Sequence, residues 1–554
     1  MSFRAFSPLA IAIAATLAAA PARGQEAPVQ ASTLDTVIVT GTRVADRTVA
    51  ESQSPIDIIT PEALQATGTT ELATALARAL PSLNFPRPAM ADGTSGVRPA
   101  QLRGLSPDQV LILVNGKRRH VSALVNVNGT IGRGSSAVDL NAIPIAAIER
   151  VEVLRDGASA QYGSDAIAGV VNIVLKGAGE GGSISLGGGE YSEGDGRQWQ
   201  LAGDAGLSFG NDGGTLHLAA QVGHQDPTNR SGPYQGTAPH TGNFPGVGER
   251  AFKMGDPEVD QFAVSANAAF DIGDSSQLYA TLIGSNRDIV SFAFYRSRNH
   301  SGQGALLAQV YPDGYVPEIN QISQDRSVVL GARGSTGSGW NWDISYNFGE
   351  NDLDFYTQNT INYSLGVGSP HRFYTGNLQY RQDVVNADFS RALDLGLAYP
   401  ATLSLGAEYR NEEWRQSAGE PDSYFGSGAQ GFAGFTPRNA GSYERHSYAV
   451  YAGLEADLTD RFSAGIAGRH EDYSDFGTET SGKLSARYAF SEAVALRGTV
   501  SSGFRAPALA QQNYQAVTTN INNSVVTETG TFPASGAVAQ ALGAEPLKAE
   551  TSLS

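Results

Sequence analysis

Beyond Ser183 the chain alternates. Phe262, Val264, Ala266, Ala268 and Phe270 are interleaved with Gln261, Ala263, Ser265, Asn267 and Ala269. Tyr448, Val450, Ala452 and Leu454 are interleaved with Ala449, Tyr451, Gly453 and Glu455, and the pattern returns over 403–410 and 483–490. A period of two, apolar on one face and small or charged on the other, predicts strands with water on one side and lipid or a core on the other. About 14 strands are predicted from Ser183 to the end.

Before residue 177 the pattern is mixed. Residues 148–176 (IERVEVLRDGASAQYGSDAIAGVVNIVLK) read as a strand, a break at Asp156-Gly157, a short helical turn ending near Gly163, and a more buried strand over 169–175. Upstream, 55–59 is a predicted strand. Thr60-Pro61 offers an N-cap with Pro at the first helical position, and Gly68 a stop. A second helix is expected over about 70–79, and strands over 97–103 and 109–114. Asn115-Gly116 predicts a tight hairpin returning over 117–121. Residues 54–176 thus predict a small α/β domain. Ahead of it, Leu34–Gly41 is a short β-prone segment. It reads either as a free strand able to add to another protein's sheet edge or as an edge strand of the following domain.

Connection lengths sharpen the reading of the strand-rich half. Residues 210–214, 273–276, 336–339, 459–460 and 491–492 are short turns, whereas 226–259, 297–321, 417–441 and 506–546 are long loops. Short/long alternation is the mark of an up-and-down transmembrane barrel. Tyr279, Tyr346, Tyr409, Tyr448 and Tyr488, near strand ends, fit interfacial girdles. No run approaches the ~18 to 20 apolar residues of a spanning helix. The longest, 9–20, follows Arg4 and precedes small residues. It reads as a secretory signal peptide over 1–24, cleaved after Ala22 or Gly24.

Composition removes several classes of function. There is no cysteine, hence no disulfide framework or thiolate metal site. The net charge of −17 argues against nucleic-acid binding. The eight histidines show no metal-ligand spacing, and no metal or cofactor is expected. Gly426–Gly431 matches GxGxxG but lies in a loop with no helix after it, Gly116-Lys117 is followed by Arg118 rather than Ser or Thr, and no GxSxG elbow occurs. The chain is not expected to be an enzyme.

Four motifs resemble, in order, those of the TonB-dependent outer-membrane receptors. Asp35–Gly41 (DTVIVTG) resembles the TonB box, and Leu102–Leu105 the LRG element of the plug. Residues 148–176 resemble the plug's C-terminal signature. Ser502–Pro507 with Leu547–Thr551 is similar to the mid-barrel GFRAP and LKPE pair. Asp156 and Ala549 stand where the family usually has proline. The resemblance implies a transmembrane antiparallel β-barrel of about 22 strands, about 14 of them present here, around an N-terminal α/β plug. At roughly 27 residues per strand, such a barrel needs about 200 residues more, so a C-terminally truncated sequence is expected.

The expected division is a signal peptide (1–24), a periplasmic arm with the TonB box (25–50), a plug (51–176) and the barrel (183–554). No extra N-terminal signalling domain fits between leader and TonB box. The resemblance implies a monomeric receptor in a Gram-negative outer membrane that imports a scarce ligand: a ferric siderophore, cobalamin, haem or an oligosaccharide. A passive porin-like or adhesin-like barrel is the alternative. Its expected partners are the inner-membrane TonB energy-coupling complex, outer-membrane lipid and a small-molecule or metal-chelate ligand. Asp35, Thr36, Val37, Ile38, Val39 and Thr40 are the expected TonB-interaction residues. Arg103, Arg150 and Arg155 are expected to pair with carboxylates of the barrel wall. Tyr162 and Asn172 are assigned to turn and strand packing. Among loop aromatics, Tyr234, Phe244, Tyr311, Tyr315, His371 and Phe425 are candidate ligand contacts, though such residues also pack loops against themselves.

Overall fold

The computed structural model describes residues 37–554 apart from 45, 70, 128–130, 178, 180, 211–212, 238–239, 241, 492 and 523–524. The leader, Asp35 and Thr36 lie outside the described residues. Two bodies follow the change in periodicity.

The plug is built on a five-stranded mixed sheet. Its strands are β1 (Ile56–Ile59), β4 (Val110–Val114), β5 (Lys117–Arg118), β6 (Ile148–Leu154) and β7 (Gly169–Leu175), in the order β1-β6-β7-β4-β5. β2 (Leu83–Asn84) and β3 (Gln101–Leu102) form a separate small ladder. Thr60 caps the helix Pro61–Gln65, its hydroxyl accepting from the Ala63 N–H at 3.3 Å. The second helix, Leu72–Ala79, buries Leu72 and Leu76 against Val151, Val153, Val171 and Ile173. Asn115 and Gly116 both have positive φ, as a tight hairpin requires. Gly163 (φ +87°) ends the helical turn Ser159–Tyr162.

Two predicted strands are shorter than expected. Only Gln101–Leu102 of 97–103 pairs, because Arg98 is committed to Glu71 and Asp256. Of 117–121 only Lys117–Arg118 forms a strand; the Arg119 N–H still donates to the Ile112 carbonyl at 2.9 Å, and the Arg119 and His120 side chains reach Asp325.

The wall is one 14-stranded antiparallel sheet in which nearly every strand pairs with its sequence neighbours. Its strands are β8 (Gly181–Gly189), β9 (Gln198–Phe209), β10 (Gly214–Gln225), β11 (Glu258–Ile272), β12 (Ser276–Phe292), β13 (Glu318–Ser335) and β14 (Trp340–Gln358). They continue as β15 (Arg372–Leu393), β16 (Ala401–Ala418), β17 (Gly441–Thr459), β18 (Phe462–Tyr473), β19 (Gly477–Ser491) and β20 (Val494–Arg505). A loop hairpin, β21 (Ala516–Asn522) with β22 (Val525–Thr531), precedes β23 (Glu550–Leu553), which pairs with β20. The plug contacts this wall from β9 round to β23: Lys176 meets Asp204, and Gln109 meets Glu550.

The wall inverts the polarity of the plug. Tyr448, Val450, Leu484, Phe490 and Leu496 are exposed on its outer face. Ser404, Arg410, Arg469, Glu471 and Lys483 are buried on the inner one. An exposed apolar band over a charged interior is what a lipid-facing barrel presents. No helix among the described residues is long and apolar enough to cross a membrane.

The connections alternate as predicted except at 474–476, a three-residue link at the long-loop end between β18 and β19. There Tyr473 and Phe476 pack on each other at 4.4 Å and join Phe504. Tyr279 also departs from expectation. It faces inward and donates to Asp343 at 2.7 Å, its ring lying across Gly331, where a Cβ would come within 2.2 Å.

Candidate functional site between arm, plug and wall

The first described residues are docked rather than free. Val37 and Val39 are exposed, while Ile38 and Thr40 are buried, so alternate side chains face the plug. Ile38 donates to the Arg47 carbonyl at 2.9 Å, folding the arm back on itself. Three side chains of the 148–176 segment then hold it. Glu152 accepts from the Val39 N–H at 3.1 Å, Asn172 donates to the Thr40 hydroxyl at 3.0 Å, and the Tyr162 hydroxyl accepts from the Gly41 N–H at 2.8 Å.

Glu152 and Asn172 are partners across the β6–β7 ladder, each a fully buried polar residue between apolar neighbours. Burial demands hydrogen-bond partners. Arg150 supplies one to Glu152 at 2.9 Å, the Gly116 N–H supplies one to Asn172 at 3.0 Å, and the arm supplies the rest. Burial also pushes the Tyr162 hydroxyl up, so it stays protonated. Tyr162 and Asn172 therefore do more than pack their own turn and strand. The sign of this in the sequence was the lone polar residue in Val151-Glu152-Val153 and Val171-Asn172-Ile173.

The plug body is fastened to the wall by buried ions. Arg119 and His120 both engage Asp325 of β13, His120 at 3.0 Å. Asp139 meets Arg287 of β12 at 2.7 Å. Arg98 reaches Asp256 at 3.0 Å, and Asp108 meets Arg505 of β20 at 2.6 Å. Asp156, in the usual proline position, is a fastening too. It accepts from Thr499 of β20 and lies 3.7 Å from the Lys483 ammonium of β19.

The three arginines expected to bind the wall find partners inside the plug instead. Arg150 pairs with Glu149 and Glu152, and Arg155 with Asp57 at 2.7 Å. Arg103 is exposed, its guanidinium 3.4 Å from the Arg155 carbonyl. For Arg150 and Arg155, carboxylates on the same strand or the adjacent one satisfy the charge before the wall can, and Arg103 is left to solvent.

The loop aromatics divide. Tyr315 is buried with Leu307 and Ile361, stacks on Tyr311 at 4.1 Å, and lies 3.2 Å, hydroxyl to hydroxyl, from Tyr363. His371 caps this cluster through Tyr311 at 2.9 Å. Those three hold loops together. Tyr234 and Phe244 stack at 5.4 Å in another loop, with Phe244 exposed. Phe425 is exposed.

Residues 48–170 match the TonB-dependent Receptor Plug Domain, and residues 273–554 match the family described as TonB dependent receptor-like, beta-barrel. A ferric enterobactin receptor of Pseudomonas aeruginosa is 24% identical over 485 residues, which make up 85% of this chain and 61% of that protein. A vitamin B12 transporter of Vibrio vulnificus is 32% identical over 166 residues, 30% of this chain and 25% of that one. The crystal structure of the siderophore receptor PirA from Acinetobacter baumannii superposes with a TM-score of 0.64 at 18% identity, over 90% of this chain and 67% of that one. The chain thus spans about three fifths of the P. aeruginosa relative's length.

Proposed function

The chain belongs to the TonB-dependent receptor family, and from that premise we propose that it imports a ferric siderophore across a Gram-negative outer membrane by force applied to the arm. The observation that carries this is the docking of residues 37–41 on Glu152, Tyr162 and Asn172. A short extended segment with two exposed side chains offers a grip to a periplasmic partner by strand addition. Its hydrogen bonds end on three residues of the two central plug strands and the turn between them. Pulling the strand away leaves Glu152 and Asn172 buried without those partners, which destabilises the plug sheet from within. The inner-membrane TonB complex is the partner this reading requires. On this reading 25–50 is the arm, 51–176 the plug and the barrel begins near 183.

The siderophore assignment is supported by the ferric enterobactin and PirA relatives. Phe425, Tyr234 and Phe244 in the long loops are its proposed first contacts. Deleting 35–40 is expected to abolish uptake of the ferric chelate while leaving its binding to whole cells unchanged. Uptake at the wild-type rate in that deletion sinks the reading and favours a passive barrel.

A further inference from the structure

The turn between β15 and β16 departs from the others at its end of the wall. It runs over 394–400 (DLGLAYP), seven residues where 210–213, 273–275, 336–339, 460–461 and 492–493 have two to four. None of those carries a large apolar side chain. This one carries Leu395, Leu397 and Tyr399, exposed by 53%, 36% and 49%.

The three extend a face that is already apolar. On β15 and β16 the odd-numbered residues point out of the wall: Val385, Phe389, Leu405 and Tyr409 are exposed, whereas Val384, Ser404 and Arg410 are buried. Leu393 and Ala401 are the last partners of this ladder. Yet the apolar parity runs on through the turn without a break, as Leu393, Leu395, Leu397, Tyr399, Ala401 and Leu403. The polar side chains of the turn are used nearby. Asp394 accepts from the Gly396 N–H at 3.0 Å, and the Tyr399 hydroxyl donates to Asp460 of the next turn, also at 3.0 Å.

Depth identifies what covers this tip. Tyr346, Val385, Tyr409 and Tyr448 share one cross-strand row, an aromatic girdle at the long-loop edge of the apolar band. Leu395 and Tyr399 each come ten residues below that row, one from Val385 and the other from Tyr409. A strand tilted by about 40° descends about 2.6 Å per residue, which puts both about 26 Å lower, at the floor of an apolar band about 25 Å tall. A second marker agrees. Arg391 stands opposite Trp340 in the ladder, its guanidinium 5.8 Å from the ring centre. Trp rings and snorkelling arginines gather at the membrane–water boundary.

The geometry points to 394–400 as a membrane foot: an apolar tip seated in the headgroup region of the periplasmic leaflet, with phospholipid as its partner. This rests on the outer-membrane reading and is independent of what is carried. A periplasmic protein docked on the same side chains would compete with the bilayer, because the patch is continuous with the lipid-facing band.

The absence of cysteine allows single labels. The receptor carries bimane on Ala398→Cys, Gly337→Cys or Leu405→Cys and is reconstituted in vesicles of phosphatidylethanolamine and phosphatidylglycerol. Residue 398 leaves the three apolar side chains intact. Gly337 lies in the polar 336–339 turn, where an added Cβ meets nothing within 4 Å, and Leu405 lies in the band. Quenching by a nitroxide on the lipid acyl chain near the glycerol is compared with quenching by iodide present on both faces. The lipid quencher is expected to act at least about threefold more strongly at 398 than at 337, and iodide at least about threefold less. Leu395→Ser with Leu397→Ser is expected to bring the 398 label to the values at 337. Equal iodide quenching at 398 and 337 places the turn in the periplasm and overturns the foot. Shielding of 398 from both quenchers shows that protein covers it, and insensitivity to the two serines shows that the leucines do not seat it; either result overturns the foot as well. A 405 label that the lipid quencher cannot reach removes the outer-membrane reading itself.

Discussion

The arm and the plug body are fastened by different chemistry. The tip of the arm is held to the plug by three hydrogen bonds along an extended segment, with Val37 and Val39 left in solvent, and only further on, at Arg43–Asp388 and Arg47–Asp457, do ion pairs tie it to the wall. The plug body is held by buried ion pairs distributed round the wall: Arg119 with Asp325, which His120 also contacts, Asp139 with Arg287, and Asp108 with Arg505. A hydrogen bond contributes about 0.5–1.5 kcal/mol net, whereas breaking a buried pair by removing one partner costs about 3–5 kcal/mol. The weaker attachment is where the pull arrives. A plug joined everywhere by strong pairs could not yield in part, and one joined everywhere like the arm could not stay seated.

Four substitutions or conditions sharpen or break that contrast. Asp325→Ala strands Arg119 and His120 against the wall and is expected to lower plug seating by about 3–5 kcal/mol. Protease cleavage of the plug in the isolated receptor reports it, with the arm's own cleavage rate unaffected. Glu152→Ala should act the other way round. It removes the acceptor of Val39 and the partner of Arg150 and should free the arm by about 1.5–3 kcal/mol. A spin label at residue 37 would become mobile, and more so than after Asp325→Ala.

Acid provides a third test. Burial holds the His120 imidazole below its ordinary range, against the pull of Asp325. Its folded form therefore resists a proton that the unfolded chain accepts below about pH 6.5. Stability is full above that pH and falls as pH drops toward the folded value, by up to about 1.4 kcal/mol per pH unit. His120→Gln is expected to flatten the slope between about pH 6.5 and pH 5 in a denaturation series. Thr40→Val, which removes only the hydroxyl that Asn172 reaches, is expected to loosen the arm by about 0.5–1.5 kcal/mol in the spin-label assay.

Much of the fold was legible because it is local. The Thr60 cap, the Asn115-Gly116 hairpin, the strand–turn–strand of 148–176 and the alternation of the wall each depend on residues a few positions apart. The site was only half legible for the converse reason. The 34–41 segment announced itself, but its receptors did not: Val39 and Glu152 are 113 positions apart, and Thr40 and Asn172 are 132 apart. Arg119 and Asp325, 206 apart, have no shared pattern either. Where two partners compete, the near one wins, and this is why Arg150 turned to Glu149 and Glu152 rather than to the wall. Asp156 shows the same limit from the other side. It read as a mismatch in a turn, and became intelligible only when β19 and β20 brought Lys483 and Thr499 to it.

Pulling the folded receptor from residue 37, with the barrel held in a bilayer, tests the division of labour between arm and plug most directly. A first rupture at low force is expected to free about 34 Å of chain, the reach of residues 37–46 at about 3.4 Å each, before the Arg47–Asp457 pair or any of the plug yields. A single rupture in which arm and plug leave the wall together would contradict it.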